Sequence, residues 1–226
     1  MQIACWKGAN AMRRMLFEKT GKAIWMSHLD TMRLMQRAFR RAGVVLHHSQ
    51  GFTPHAYVSV LLPLSVGTES VCEIMEYELD SDLTIRAEDM NAVLPEGVRI
   101  REVYQSDRKA KYLTFLDVEL TLEYDAGVLP DAAEKINALF QGSNLIVEKR
   151  TKRGLEETDI LPMIHRLSVA EQNHLLQLNV RISAQNPALN PSLLTAAIER
   201  YLPQYRPDFV RYRRVEIYDE TGEIFR

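Results

Sequence analysis

The sequence predicts an α+β chain of two tandem ferredoxin-like domains, each with the element order β-α-β-β-α-β. Three observations carry that expectation. Residues 12–106 show strand-like and helix-like periodicity in that order, the stretch SDRKAK at 106–111 is polar and aperiodic, and the same order of elements recurs over 111–226. The expected limits are therefore 12–106 and 111–226. Residues 1–11, MQIACWKGANA, lack both periodicity and the apolar core of a secretory signal, so they are expected to be a loose leader or an upstream start.

In the first domain, RRMLFEKTGKAIWM reads as extended chain interrupted by Gly21, which marks a bulge or tight turn. Ser27 opens a helix as N-cap, with Asp30 three residues on as its capping partner. Leu29, Met32, Met35, Phe39 and Ala42 form its apolar stripe, and Gly43 ends it. After SQGFTPH, two apolar runs flank SVGTES and predict a hairpin, irregular at Pro63. Met75, Tyr77 and Leu79 alternate with Glu76 and Glu78 in its second arm. Thr84 is expected to cap a short helix, IRAEDMNAVL, before Pro95 and Gly97 stop it, and VRIREVY supplies the last strand.

In the second domain, Leu116, Val118, Leu120, Leu122 and Tyr124 alternate with polar residues as a half-buried strand. Pro130 opens the helix DAAEKINALF, and LIVEKR is a short strand. Leu176, Leu178, Val180 and Ile182 mark another strand. Asn190 and Pro191 start the helix SLLTAAIERYL, with Leu194, Ala197, Ile198 and Tyr201 on one face, and FVRYRRVEIY closes the set.

Composition places the chain among soluble cytoplasmic proteins. No apolar run approaches the ~20 residues that span a bilayer, so no membrane association is expected. Two cysteines, Cys5 and Cys72, give no disulfide framework and suit a reducing compartment. The formal net charge of −2 conceals an asymmetry: residues 1–60 hold nine Lys and Arg against two acids, Glu18 and Asp30. The N-terminal part therefore favours anions.

The stretch from Lys19 to Ser70 carries a set of short motifs. They are Lys19 with Gly21, Ser27 to Asp30 (SHLD), Arg40 to Gly43 (RRAG), Ser49 to Phe52 with Pro54 and His55 (SQGFTPH), and Pro63, Leu64, Val66 and Gly67. In these the chain resembles a bacterial family of unknown function described as radical-SAM-linked proteins, most clearly over residues 12–80. The segment TKRGLEETDI resembles a further basic stretch of that family. The resemblance implies association with a radical-SAM enzyme, fused or encoded nearby, rather than an activity. A radical-SAM enzyme needs three thiolates in C-x-x-x-C-x-x-C for its cluster, and Cys5 and Cys72 cannot build that site. The chain is expected to be the companion, with no cofactor of its own.

Four of the six histidines, His28, His47, His48 and His55, fall within residues 27–55. A metal site is not expected, because adjacent residues of a strand face opposite ways and no C-x-x-C or H-x-x-x-H accompanies His47 and His48. Arg33, Arg37, Arg40 and Arg41 occupy one side of the expected helix, and their forked guanidinium groups suit phosphate. Lys149, Arg150, Lys152 and Arg153 form a second basic segment. FVRYRRVEIY interleaves Arg211, Arg213 and Arg214 with Phe209, Tyr212 and Tyr218, which reads either as a base-stacking surface or as core tyrosines beside solvated arginines. In the SQGFTPH loop, Gln50, Phe52 and His55 are candidate contacts, with Phe52 expected to plug the core rather than lie exposed. Glu69, Glu73, Glu76 and Glu78 read as an acidic strand surface for a second copy or a partner. Neither a P-loop nor G-x-S-x-G is present.

The functional expectation is thus a non-catalytic accessory protein that presents RNA or another anionic substrate to a radical-SAM enzyme. A second reading uses His28, His55 and Tyr57 for metal-independent RNA cleavage by general acid–base chemistry; the element order also looks like that of RAMP-type endoribonucleases. A third is a protein–protein adaptor, with a second copy of the chain as a candidate partner.

Overall fold

The computed structural model describes residues 11–151 and 154–226. The expected leader at 1–11 lies outside these residues except for Ala11, as do Cys5, Lys152 and Arg153. The chain divides into two compact units: one takes in the chain through Val66, with Ser70–Ala110 and Arg226, and the other Gly67–Glu69 and Lys111–Phe225.

In the first unit the elements are β1 (Met12–Lys19), α1 (His28–Arg41), β2 (Val58–Val60), β3 (Thr68–Tyr77), α2 (Ala87–Asn91) and β4 (Val98–Ser106). β1 pairs antiparallel with β3 and β4, and β2 pairs with β3. Met15 and Phe17 of β1, Met75 and Tyr77 of β3, and Met35, Ala38 and Phe39 of α1 are buried in one apolar cluster. Each such large side chain contributes roughly 1.5–3 kcal/mol.

α1 begins and ends where sequence chemistry places it. Ser27 Oγ accepts a 3.2 Å hydrogen bond from the Asp30 N–H and donates to the Asp30 carboxylate at 2.7 Å. Gly43 takes a φ of +73° just past the Ala42 C-cap, a conformation that favours glycine. The buried stripe is rotated from the expected one. It runs through Thr31, Leu34, Met35, Ala38 and Phe39, while Leu29 is 64% exposed. Gly21 enters a 3-10 turn, Gly21–Trp25, so the expected extended chain stops at Lys19. The short helix α2 starts after Arg86 rather than at Thr84: the Asp89 carboxylate accepts from the Arg86 N–H at 3.3 Å, satisfying an amide at the helix start.

In the second unit the elements are β5 (Leu113–Glu123), α3 (Ala132–Leu139), β6 (Ile146–Thr151), β7 (Gly154–Asp159), β8 (Ile164–Gln172), β9 (Leu175–Ser183), α4 (Ser192–Tyr201) and β10 (Phe209–Asp219). β5 pairs antiparallel with β9 and β10, and β8 with β9, while β6 and β7 form a separate two-stranded ribbon. The alternating Leu116, Val118, Leu120 and Leu122 and their partners Leu176, Leu178, Val180 and Ile182 are buried, together with Ile136, Leu194, Ala197 and Ile198 of the helices.

The expected fold of two separate tandem ferredoxin-like domains is corrected. The strands lie in a single eight-stranded sheet in the order β4-β1-β3-β10-β5-β9-β8, with β2 added on β3. Alternation reports which face of a strand is buried, not which strand lies beside it, so periodicity alone does not separate one sheet from two. β7 and β8 have no counterpart in the sequence reading. Their residues are mostly exposed, and edge or ribbon strands of that kind carry no apolar alternation.

Candidate nucleic-acid interface

Burying Leu34, Met35, Ala38 and Phe39 turns the opposite side of α1 to solvent. Arg33, Arg37, Arg40 and Arg41 all lie there and all are exposed. At about 100° per residue they fall within roughly 100° of one another around the helix axis. Arg33 lies 3.8 Å from Asp30, both largely exposed, a pair worth little. The Ser27 hydrogen bond holds the Asp30 carboxyl below its ordinary range. Arg37 adds its charge to the field at Asp30, and neither it nor Arg40 nor Arg41 stands within ion-pair distance of a carboxylate among the described residues. One helix face therefore carries a row of open guanidinium groups.

The loop after α1 is built as a small closed excursion. The Ser49 N–H donates to the His55 carbonyl at 2.9 Å, the His55 N–H to Ser49 Oγ at 3.0 Å, and the Tyr57 N–H to the His47 carbonyl at 2.8 Å. Gln50 and Phe52 toward its tip and His55 at its closing end are exposed, Phe52 fully so. The expected core plug is thus corrected, because these hydrogen bonds tie the loop's ends to each other and leave its tip in solvent. Tyr57 stacks on His47, which pairs with Asp80, and His48 Nδ1 bonds the Leu46 carbonyl at 2.8 Å.

Beside the first turn of α1, a small recess with room for about a hydroxyl-sized group is lined by Phe17, Lys19, His28, Thr31, Val60, Leu64 and Glu73. Lys19 and Glu73 are each only 2% exposed. Lys19 Nζ donates a 2.6 Å hydrogen bond to the Met26 carbonyl. Burial pushes its pKa down, and the charge of Glu73 partly restores it. Thr31 Oγ1 donates to the Ser27 carbonyl at 3.0 Å. Of the three residues in the RNA-cleavage reading, His28 lines this recess, while His55 and Tyr57 belong to the loop.

The sequence reading took Lys19 only as a motif residue and Glu73 only as part of an acidic strand surface, and it passed over Thr31. A signal existed: Lys19 follows Met15 and Phe17 at period two, and Glu73 precedes Met75 and Tyr77 in the same way, so both are charged residues at inward positions.

The other basic stretches differ from the α1 row. Lys149 and Arg150 lie on β6 opposite Glu156 and Leu155 of β7. Along β10, Arg211 and Arg213 pair with Glu123 (2.7 Å) and Glu119 (3.6 Å) of β5, and Arg214 is buried. Tyr212 hydrogen-bonds Thr195 at 2.7 Å, and Tyr218 lies under the Arg181 guanidinium at 3.8 Å. These side chains serve the fold, which favours the core-tyrosine alternative over the stacking surface, with Phe209 alone of its aromatics exposed. The acidic strand surface is corrected as well: Glu73 is buried, and Glu76 lies 2.6 Å from the buried Arg14.

Residues 13–191 match a family described as uncharacterized proteins conserved in bacteria, DUF2344. The chain belongs to that family. The DUF2344 match takes in α1, the loop and every residue of the recess. No curated protein matches. Among solved structures, a chain of a Cbf5–Nop10–Gar1 complex is similar at a TM-score of 0.51 and 11% identity, over 92% of this chain and 50% of that one. A chain of an H/ACA RNP bound to a substrate RNA containing 2′-deoxyuridine gives 0.48 and 11%, over 90% and 46%. The chain thus spans about half the length of these solved chains, and at 11% identity the likeness to the first is one of fold alone. Among the described residues no helix is long and apolar enough to cross a membrane, and no group of three His, Cys, Asp or Glu is placed to hold a metal ion.

Proposed function

We propose that the chain binds RNA and holds its phosphate backbone along α1. The observation that carries this reading is the row Arg33, Arg37, Arg40 and Arg41, exposed on one helix face with three members outside ion-pair distance of any carboxylate among the described residues. Guanidinium groups offer forked donors that match phosphate oxygens better than a lysine amine does. Lys149 and Arg150, on β6 of the other unit and with Lys152 and Arg153 next to them in sequence, are a second cationic stretch. The loop supplies what phosphate contacts lack: exposed Phe52 for stacking on a base, with Gln50 and His55 for hydrogen bonds to it. The motif resemblance supports a radical-SAM enzyme as the partner to which the RNA is presented, since two cysteines cannot hold that enzyme's cluster in this chain.

A second reading, metal-independent RNA cleavage, is favoured by one observation: His28 shares a recess with buried Lys19 and Glu73, groups able to move protons. Incubation with labelled single-stranded RNA tests both readings. Binding without new fragments is expected, with at least a tenfold loss of affinity for R37Q/R40Q/R41Q. Unchanged affinity of that variant contradicts the first reading. Fragments that disappear with His28→Ala establish the second.

A further inference from the structure

We infer that the recess beside α1 is a ribose 2′-hydroxyl site, which makes single-stranded RNA rather than DNA the ligand of the α1 row. This rests on the RNA-binding reading and deepens it. Four features carry the inference. The recess has room for about one hydroxyl at its bottom, so it excludes a base or a whole phosphate. Its polar lining offers both halves of a hydrogen-bonded pair: the Lys19 amine as donor and the Glu73 carboxylate as acceptor, with His28 able to act as either. Lys19 has three N–H donors and spends one on the Met26 carbonyl, with no further hydrogen bond among the described residues although the side chain is 98% removed from solvent. A buried donor left in that state is costly unless a ligand or water meets it. Phe17, Val60 and Leu64 complete an apolar wall, so the polar partners a bound group meets come from Lys19, His28, Thr31 and Glu73.

The balance of charge selects the group. A phosphate would meet the Glu73 carboxylate, and an ammonium would meet Lys19. A hydroxyl is neutral, and it donates and accepts at once, which is the property that distinguishes ribose from deoxyribose. The recess is also within reach of the arginine row, since His28 precedes Arg33 by five residues, about 7.5 Å along the helix axis. A strand whose phosphates follow the row brings its sugars to the helix's first turn.

The test compares one sequence as single-stranded RNA, DNA and 2′-O-methyl RNA, by fluorescence anisotropy at fixed salt, on the full chain. RNA is expected to bind about tenfold tighter than the other two, because a site built to hydrogen-bond a hydroxyl rejects an analogue that lacks it. His28→Ala and Glu73→Gln are expected to bring the RNA-to-DNA ratio close to one while leaving the salt dependence set by the arginine row unchanged. The two variants act on different sides of the recess, and the wild-type ratio is read without either. Equal binding of RNA and DNA by the wild type overturns the hydroxyl site and leaves the arginine row as a binder of any polynucleotide. A ratio that survives both substitutions overturns it too, by placing selectivity elsewhere. No binding of any strand removes the RNA reading and this inference with it.

Discussion

Lys19 and Met26 are joined by a 2.6 Å hydrogen bond from a buried amine to a main-chain carbonyl, across the 3-10 turn that leads into α1. This bond ties the end of β1 to the residue before the helix cap, and so fixes where the arginine row begins. Lys19→Met leaves the Met26 carbonyl unmet and Glu73 buried without the amine's charge. A loss of about 3 kcal/mol is expected in denaturant unfolding. K19M/E73Q should regain part of that loss, because the buried negative charge is gone as well. A double variant no more stable than K19M would show that the two groups are not coupled.

Gly97 offers a steric test of the same region. Its φ is +85°, and a Cβ there would stand 2.5 Å from the Thr20 carbonyl oxygen. Gly127 has the same φ with nothing within 4 Å of such a Cβ. Both alanine variants carry the backbone strain, so their difference isolates the contact. Gly97→Ala should be less stable than Gly127→Ala by about 1–3 kcal/mol in thermal or urea melts. Equal losses would contradict the close packing of Gly97 on Thr20.

Acid stability should depend on Asp117. Burial pushes its carboxyl up, but the Arg181 hydrogen bonds at 2.7 and 2.9 Å and the charges of Arg181 and Arg166 outweigh that and hold it below the ordinary value. A carboxylate with a lowered native pKa binds fewer protons folded than unfolded. It therefore stabilises fully above about pH 4, and that contribution fades as pH falls toward its native pKa. Asp117→Asn should flatten the fall in melting temperature from about pH 4 down to about pH 2. Part of the fall should remain, since Asp30 and Asp89 are shifted in the same direction. An unchanged acid limb would contradict the pairing.

Phe52 separates folding from binding. Its side chain is fully exposed, so Phe52→Ser should leave stability within about 0.5 kcal/mol of the wild type. If it stacks on a base, RNA affinity should fall by roughly 1–3 kcal/mol in the same preparation. A lowered melting temperature would place the ring in the core, as the sequence alone had suggested.

What the sequence revealed follows from which signals are local. Ser27 with Asp30 and Gly43 are caps, set by a few neighbouring residues, and both ends of α1 fall where those residues put them. The alternation through Leu116 to Leu122 likewise reports burial directly. The arginine face was legible because the residues buried opposite it are apolar, even though the stripe was drawn a little off. The continuity of the sheet was not legible, since neighbouring strands are chosen by long-range pairing. The recess was hidden for a similar reason. Lys19 and Glu73 are 54 residues apart by position, and only the pairing of Phe17 with Glu73 across β1 and β3 brings their two strands' inward faces together. Phe52 misled because its hydrophobicity points inward, while the hydrogen bonds between Ser49 and His55 close the loop beneath it.

The account rests on the arginine row of α1 meeting phosphates, and the salt dependence of RNA affinity measures that most directly. Four contacts predict a slope of about −3 for log K against log salt on a single strand, a loss of roughly 50-fold between 50 and 200 mM. R37Q/R40Q/R41Q should reduce the slope to about −1. A wild-type affinity that stays flat across the titration, or a slope that the triple variant leaves unchanged, would contradict it.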